Sequence, residues 1–115
     1  MTRARFILKS GDIMKYYKLV RDRIPEIIEG KGKVCITETL PDDQYLEMID
    51  KKLDEELAEY HADKNLEELA DLIEVIYAAA KARGYTLEEL ESTRVKKAAE
   101  RGAFDEKILL LEVIE

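Results

Sequence analysis

Residues 55–72 read EELAEYHADKNLEELADL, and this stretch decides the fold. Its leucines keep helical spacing on both sides of HADKN, which is typical of two helices joined by a short turn. Helices joined in this way lie antiparallel beside each other. The sequence therefore predicts an all-α protein built as an antiparallel helical bundle. Some acids of the stretch nevertheless occupy positions where apolar side chains would face the neighbouring helix.

Capping signals set the expected bounds of three long helices. Each begins at a residue whose side-chain oxygen can accept a hydrogen bond from the first turn. The second and third helices also carry a glutamate three positions further on, which completes a capping box. The expected helices are 43–62 with Asp42 or Asp43 as the cap, 65–83 with Asn65 and Glu68 as the capping box, and 86–101 with Thr86 and Glu89.

Shorter elements flank these helices. Asp22 is expected to cap a short helix that Gly30 ends, because Pro25 is tolerated only in a first turn. Residues 33–39 alternate in polarity and residues 106–113 are mostly apolar. At most one short two-stranded β-ribbon is therefore expected between them, packed on the helices.

Composition predicts one helical domain at residues 16–115, behind a loose N-terminal tail at residues 1–15. The net charge of −7 disfavours a nucleic-acid polymer as partner. No apolar run approaches the roughly 20 residues of a membrane span. The single cysteine, Cys35, is expected to be a small buried side chain, and its isolation indicates a reducing, cytoplasmic setting. His61 is expected to be a helix-end residue rather than a ligand.

An acidic stripe runs along each of the first two long helices. Positions three and four apart share one helical face. Glu56, flanked by Glu59, lies on the face that carries leucine and tyrosine, and Glu68 and Asp71 lie on the apolar face of the next helix. Burying unpaired carboxylates costs several kcal/mol, and a divalent cation with oxygen ligands removes much of that cost. The alternative is that these acids lie on solvated faces, with Glu68 completing its capping box.

A basic stripe gives the complementary pattern on the last helix. Arg94, Lys97 and Arg101 recur at helical spacing, and Lys18, Arg21 and Arg23 form a second patch in KLVRDR. Such cations near an acid cluster suit an anionic ligand bridged to a metal, such as a polyphosphate. The alternatives are favourable placement at a helix C-terminus for the stripe and ordinary surface charge for the patch.

Three segments together resemble a known family. EELAE followed by EELAD resembles the E-x-x-E…E-x-x-D signature of the all-α nucleoside triphosphate pyrophosphohydrolases. That superfamily includes MazG-like proteins and phosphoribosyl-ATP pyrophosphohydrolases. YKLVRDRIPEIIE and KKAAERGAFDEKILL resemble the ends of a compact branch of it, so the resemblance covers residues 16–113. The chain reads RGAF where RGGF would be expected, which is a mild departure.

The resemblance implies a Mg²⁺-dependent hydrolase, with Mn²⁺ as a substitute, that cuts a nucleotide between its α and β phosphates. It implies a homo-oligomer, either dimer or tetramer. Two alternatives stay open: hydrolysis of phosphoribosyl-ATP in histidine synthesis, and a catalytically silent helical interaction module. The implied metal ligands are Glu56, Glu59, Glu68 and Asp71, the implied catalytic acids are Glu55 and Glu56, and the implied phosphate contacts include Lys97 and Arg101.

Overall fold

The computed structural model describes residues 13–115 and is all-α, as predicted. The bounds of the three long helices agree with the predicted ones to within one residue. Of the predicted tail at residues 1–15, all but the last three residues lie outside the described part of the chain. The helices are α1 (Ile24–Glu29), α2 (Asp42–Asp63), α3 (Leu66–Ala82) and α4 (Leu87–Arg101).

Helices α2 and α3 form the predicted antiparallel hairpin. Lys64 ends α2 in a left-handed conformation, with φ of 51°, and its N–H donates to the carbonyl of Tyr60 at 2.7 Å. Asn65 then caps α3, because its side chain accepts a hydrogen bond from the N–H of Glu68 at 2.9 Å. At the far end Arg83 donates to Asp50 across the pair at 3.1 Å. The turn therefore consists of only two residues and fixes how the helices align.

The core between these helices is small. In the described part of the chain, Ile49 of α2 and Val75 of α3 are the buried apolar side chains. Glu56 is buried beside them at 7% exposure, although it is a carboxylate. The apolar positions of the two predicted stripes are otherwise only partly buried: Leu53, Tyr60, Leu72 and Ala79.

Helix α4 begins at the predicted capping box and packs on α3. The Thr86 hydroxyl accepts from the N–H of Glu89 at 3.0 Å, and the Glu89 carboxylate accepts from the N–H of Thr86 at 2.9 Å. Gly102 ends the helix with φ of 83°, a conformation that favours glycine. Tyr77 of α3 and Leu90 of α4 line a shallow cavity between the two helices. Among the described helices, α4 has no close backbone contact with α2.

Two predicted caps are wrong. Helix α2 begins at Asp42 itself after Pro41, so Asp42 and Asp43 lie in the first turn, and neither caps the helix with a side-chain hydrogen bond. Their charges still favour the positive end of the helix dipole. Before α1, the N–H of Ile24 already bonds the carbonyl of Arg21 at 3.0 Å. That turn places the cap position at Arg23 rather than Asp22.

The predicted β-ribbon is also absent from residues 13–115. Neither residues 33–39 nor residues 106–113 form a strand. A two-stranded ribbon is stable only when it packs on something else, and the C-terminal segment lies away from the helices. Ile108 and Leu111 are 81% and 82% exposed. No helix in the described residues combines the length and the apolar character that crossing a bilayer requires.

Candidate functional site

Three acids from the two predicted stripes converge between α2 and α3. Glu56, Glu68 and Asp71 each offer a carboxylate oxygen, and these oxygens lie within 4.8 Å of one another. The helical spacing places Glu68 and Asp71 on one face of α3, and the short turn brings that face opposite Glu56. We call these three residues the acid cluster.

Two oxygens of the acid cluster are buried and have no hydrogen-bond partner: Oε2 of Glu56 and Oε2 of Glu68. A buried carboxylate oxygen without a partner is costly, because it has given up hydration and received nothing in return. The donor set is made of carboxylates alone, which suits a hard divalent cation such as Mg²⁺. The residues present therefore fit the metal that the resemblance implies.

The carboxylate of Glu68 lies in the acid cluster and does not complete the capping box at Asn65. The N–H of Glu68 binds the Asn65 side chain, but the structure shows no return bond from the Glu68 carboxylate. At Thr86 and Glu89, by contrast, both bonds form. The simple capping explanation for Glu68 is therefore insufficient.

Mutual repulsion contributes to raised pKa values of two acids in this region, Glu68 and Glu59. Burial raises the pKa of Glu68, and the charges of Asp71, Asp63 and Glu56 raise it further. Glu59 is exposed and lies outside the acid cluster, yet its pKa is also raised, chiefly by a hydrogen bond with Glu56 and then by repulsion from the Glu56 charge. Both directions show that negative charge is crowded at this end of the hairpin.

One lysine contacts this acidic region from within α2. The Lys52 ammonium lies 3.2 Å from Oε1 of Glu55 and 3.2 Å from Oε1 of Glu56. Burial alone would lower the pKa of Lys52, but its hydrogen bonds and attraction to both glutamates outweigh that effect, so the pKa is raised. Lys52 is not among the site residues that the sequence patterns above indicate. A basic residue three and four positions before two glutamates on one helix is the signal that identifies it.

Glu55 is held by lysines from two parts of the chain. Besides Lys52, the ammonium of Lys18 lies 3.9 Å from Oε1 of Glu55. Lys18 also lies over the ring of Tyr16, 5.6 Å from its centroid. Glu55 therefore lies beside the acid cluster with cationic partners of its own, and the structure does not include it among the three converging acids.

The KLVRDR patch lies against the acid cluster. A guanidinium nitrogen of Arg21 donates to Oδ1 of Asp71 at 2.5 Å. With Lys18 at Glu55, this places two of the three basic residues of the segment at the site, whereas Arg23 pairs with Glu26 on α1. The sequence named these cations but gave no physical reason for where they would lie.

The basic stripe of α4 lies elsewhere. Arg94 forms an ion pair with Glu91 on its own helix, which lowers the pKa of Glu91 and raises that of Arg94. Lys97 and Arg101 are exposed, and within residues 13–115 neither has an ion pair. Within one chain, the described structure therefore does not bring the stripe into contact with the acid cluster.

The histidine and the cysteine lie outside the acid cluster. His61 is exposed in the last turn of α2, with its ring beside that of Tyr60 at 5.8 Å. Cys35 is only partly buried, in the segment between α1 and α2, so the expectation of a buried side chain is met in part. Neither residue is among the converging ligands.

Comparisons with known proteins give little functional information. No protein-family model matches the chain, and no solved structure matches it significantly. A protein of Mycolicibacterium smegmatis (strain ATCC 700084 / mc(2)155), described as uncharacterized, is 53% identical over 45 residues. Those residues are 39% of this chain and 46% of that relative. The chain therefore matches less than half of the relative's length.

Proposed function

We propose that the chain is a Mg²⁺-dependent nucleotide pyrophosphohydrolase that cleaves between the α and β phosphates. One observation carries the proposal: Glu56 is 7% exposed, its Oε2 has no partner, and its carboxylate converges with those of Glu68 and Asp71. Acids on solvated faces would not bury such an oxygen. The resemblance of the acid spacing to the pyrophosphohydrolase signature supplies the reaction.

The acid cluster would hold the metal, with Glu59 nearby as a further oxygen donor. Bound Mg²⁺ would polarise phosphate oxygens and lower the pKa of a bound water. Glu55, directed by Lys52 and Lys18, lies beside the acid cluster and is the candidate for orienting that water. No protein nucleophile is required for this chemistry.

Cations near the site would hold the phosphates. Arg21 contacts the acid cluster and Lys18 lies at Glu55 beside it, so they are the first candidates for contacts to the nucleotide. Ionised donors of this kind stabilise charge on phosphate oxygens. Lys97 and Arg101 would serve a site shared with another copy of the chain, because α4 does not reach the acid cluster of its own chain.

The proposal includes a homo-oligomer in the cytoplasm. The α3 side chains Leu69, Ile73 and Ile76 are 41%, 47% and 38% exposed, on a face that points away from the acid cluster. The C-terminal segment 108–114 is a second surface of exposed apolar side chains, with Ile108, Leu111 and Ile114 at 81%, 82% and 91% exposure. Monomers rarely expose large apolar patches, so exposed apolar side chains on both surfaces favour a partner. A second copy carries both surfaces and would cover them in a symmetric exchange.

The test is pyrophosphate release from a panel of nucleoside triphosphates and phosphoribosyl-ATP, with MgCl₂ and with EDTA. Mg²⁺-dependent release is expected from nucleoside triphosphates. Release from phosphoribosyl-ATP alone would assign the enzyme to the histidine-pathway reaction. No release from any of them, together with no Mg²⁺-induced rise in melting temperature, would contradict the hydrolase and favour an interaction module.

Adjacent glutamates at the start of α3 provide a matched pair of variants. Glu68→Gln removes one cluster charge and should lower pyrophosphate release by at least about 100-fold, more than the loss of a group that merely supports a ligand. Glu67→Gln changes an exposed acid one position away and should leave release close to wild type. Equal effects of the two changes would show that general charge, rather than the acid cluster, matters.

A further inference from the structure

Lys52 contacts two carboxylates at once and is unusually well buried for a lysine. Its side chain is 16% exposed, whereas most lysines extend into solvent. The two contacts, each 3.2 Å, are to Oε1 of Glu55 and Oε1 of Glu56. The ammonium is therefore held by the acids in a partly desolvated place, where charge interactions are stronger than in water.

The contact uses one oxygen of Glu56 and leaves the other without a partner. Oε2 of Glu56 is buried and makes no hydrogen bond, while Oε1 is 3.2 Å from Lys52. Lys52 thus offsets part of the Glu56 charge but does not satisfy the oxygen that remains available. Arg21 has a related place at Asp71, but it is more than half exposed and belongs to another segment.

We propose that Lys52 is a built-in counter-charge of the acid cluster, which stabilises the fold before a divalent cation binds and weakens the binding of that cation. The inference rests on the proposed metal site. Both effects have one cause: a positive charge beside Glu56 attracts the carboxylate and repels an incoming cation. Lys52 is a positioning residue in this scheme and does not touch the substrate.

The test removes the charge and keeps the stem. Lys52→Met should bind Mg²⁺ about tenfold more tightly, because the repulsion is lost. In EDTA its melting temperature should fall below that of wild type, and the rise on adding Mg²⁺ should be larger. Lys52→Arg keeps the charge. Its Mg²⁺ affinity and its melting temperature in EDTA should therefore return toward those of wild type. Binding is measured by calorimetric titration of the full chain with MgCl₂ alone.

Lys51 is the matched control. It precedes Lys52 on α2 but is exposed, and in the described structure it has no ion pair. Lys51→Met lowers the net charge by the same amount, so it corrects for long-range electrostatics. Because exposed charges are screened by salt, its Mg²⁺ dissociation constant should stay within about twofold of wild type. Lys52→Gln, which also removes the charge, replaces the methionine variant if that variant does not fold.

The outcomes separate this inference from the proposed activity. Unchanged or weaker Mg²⁺ binding in Lys52→Met would overturn the counter-charge role, and so would a wild-type protein that binds no Mg²⁺. A wild-type protein that binds Mg²⁺ but releases no pyrophosphate would contradict the proposed hydrolase alone. In that case the dissociation constants would still decide the role of Lys52.

Discussion

Arg21 and Asp71 are 50 residues apart in sequence and are joined by an ion pair of 2.5 Å. The pair attaches the segment before α1 to the face of α3 that carries the acid cluster. Both side chains are partly exposed, so the pair contributes at most about 1 kcal/mol to overall stability. Its main effect is on where the segment lies rather than on whether the protein folds.

Arg21→Gln should release this segment. We expect faster amide hydrogen exchange in residues 16–20, with a change in melting temperature of no more than a few degrees. Arg23→Gln is the control, because within residues 13–115 Arg23 pairs only with Glu26 on the neighbouring turn, at 3.1 Å. Equal exchange rates in the two variants would show that the Asp71 contact does not hold the segment. If the proposed function is right, Arg21→Gln should also raise KM for the nucleotide more than it lowers kcat.

Without metal, stability should depend on pH through Glu68. Its folded pKa is raised above the ordinary value of 4.5, so the native state binds the proton more tightly than the unfolded state. Ionised Glu68 therefore lowers the free energy of unfolding. This loss is absent below pH 4.5 and grows as pH rises through the folded pKa. In EDTA, Glu68→Gln should therefore gain stability relative to wild type between pH 4.5 and pH 7.

Urea unfolding at several pH values measures this difference, with Glu67→Gln as the control. The difference between Glu67→Gln and wild type should stay flat, because the acid cluster does not include Glu67. Saturating Mg²⁺ should reverse the order, since wild type then gains from binding and Glu68→Gln does not. A difference for Glu68→Gln that shrinks as pH rises would contradict the crowding of negative charge.

The α4 capping box should contribute measurably to stability. Thr86→Ala removes the acceptor for the N–H of Glu89, now at 3.0 Å, and should cost about 1 kcal/mol in the free energy of unfolding. Thr93→Ala is the control on the same helix. The hydroxyl of Thr93 donates to the carbonyl of Glu89 within the helix, a bond that adds little to stability. A loss at Thr93 as large as that at Thr86 would argue against the cap.

The exposed C-terminal segment should control assembly. Leu110 and Leu111 are 74% and 82% exposed. The double variant Leu110→Asp, Leu111→Asp places charge where the second copy would pack. Sedimentation should show wild type at a multiple of 13.3 kDa and the double variant shifted toward the monomer. Glu112→Gln, which adds no charge in the same segment, should sediment like wild type. A monomeric wild type would contradict the proposed exchange.

The sequence predicts the hairpin and the meeting of acids from its two helices because both follow from local rules, although four acids were expected and Glu59 lies outside the acid cluster. Helical spacing fixes which residues share a face, and the two-residue turn fixes which faces meet. The predicted cap of α2 is wrong because an acid in a first turn and an acid at a cap have similar favourable interactions with the helix dipole. From the sequence alone, Asp42 can be either the cap of α2 or a residue of its first turn.

The positions of the basic groups depend on tertiary packing, which spacing does not determine. Arg94, Lys97 and Arg101 share a face in sequence, but the packing of α4 on α3 decides what that face meets. The contact of Lys18 with Glu55 likewise depends on how an irregular segment crosses the hairpin. The sequence does not distinguish Lys52 from other lysines, because a lysine on a charged helix usually lies in solvent.

The turn at Lys64 and Asn65 has a consequence for how the site can change. Every converging acid lies between residues 56 and 71, so the entire ligand set belongs to one continuous stretch around this turn. Inserting or deleting a single residue in the helical part of this stretch, on either side of the turn, would rotate the residues before it by about 100° relative to those after it. Glu68 and Asp71 would then face away from Glu56. The spacing of the acids along the hairpin therefore determines the acid cluster as much as the carboxylates themselves do.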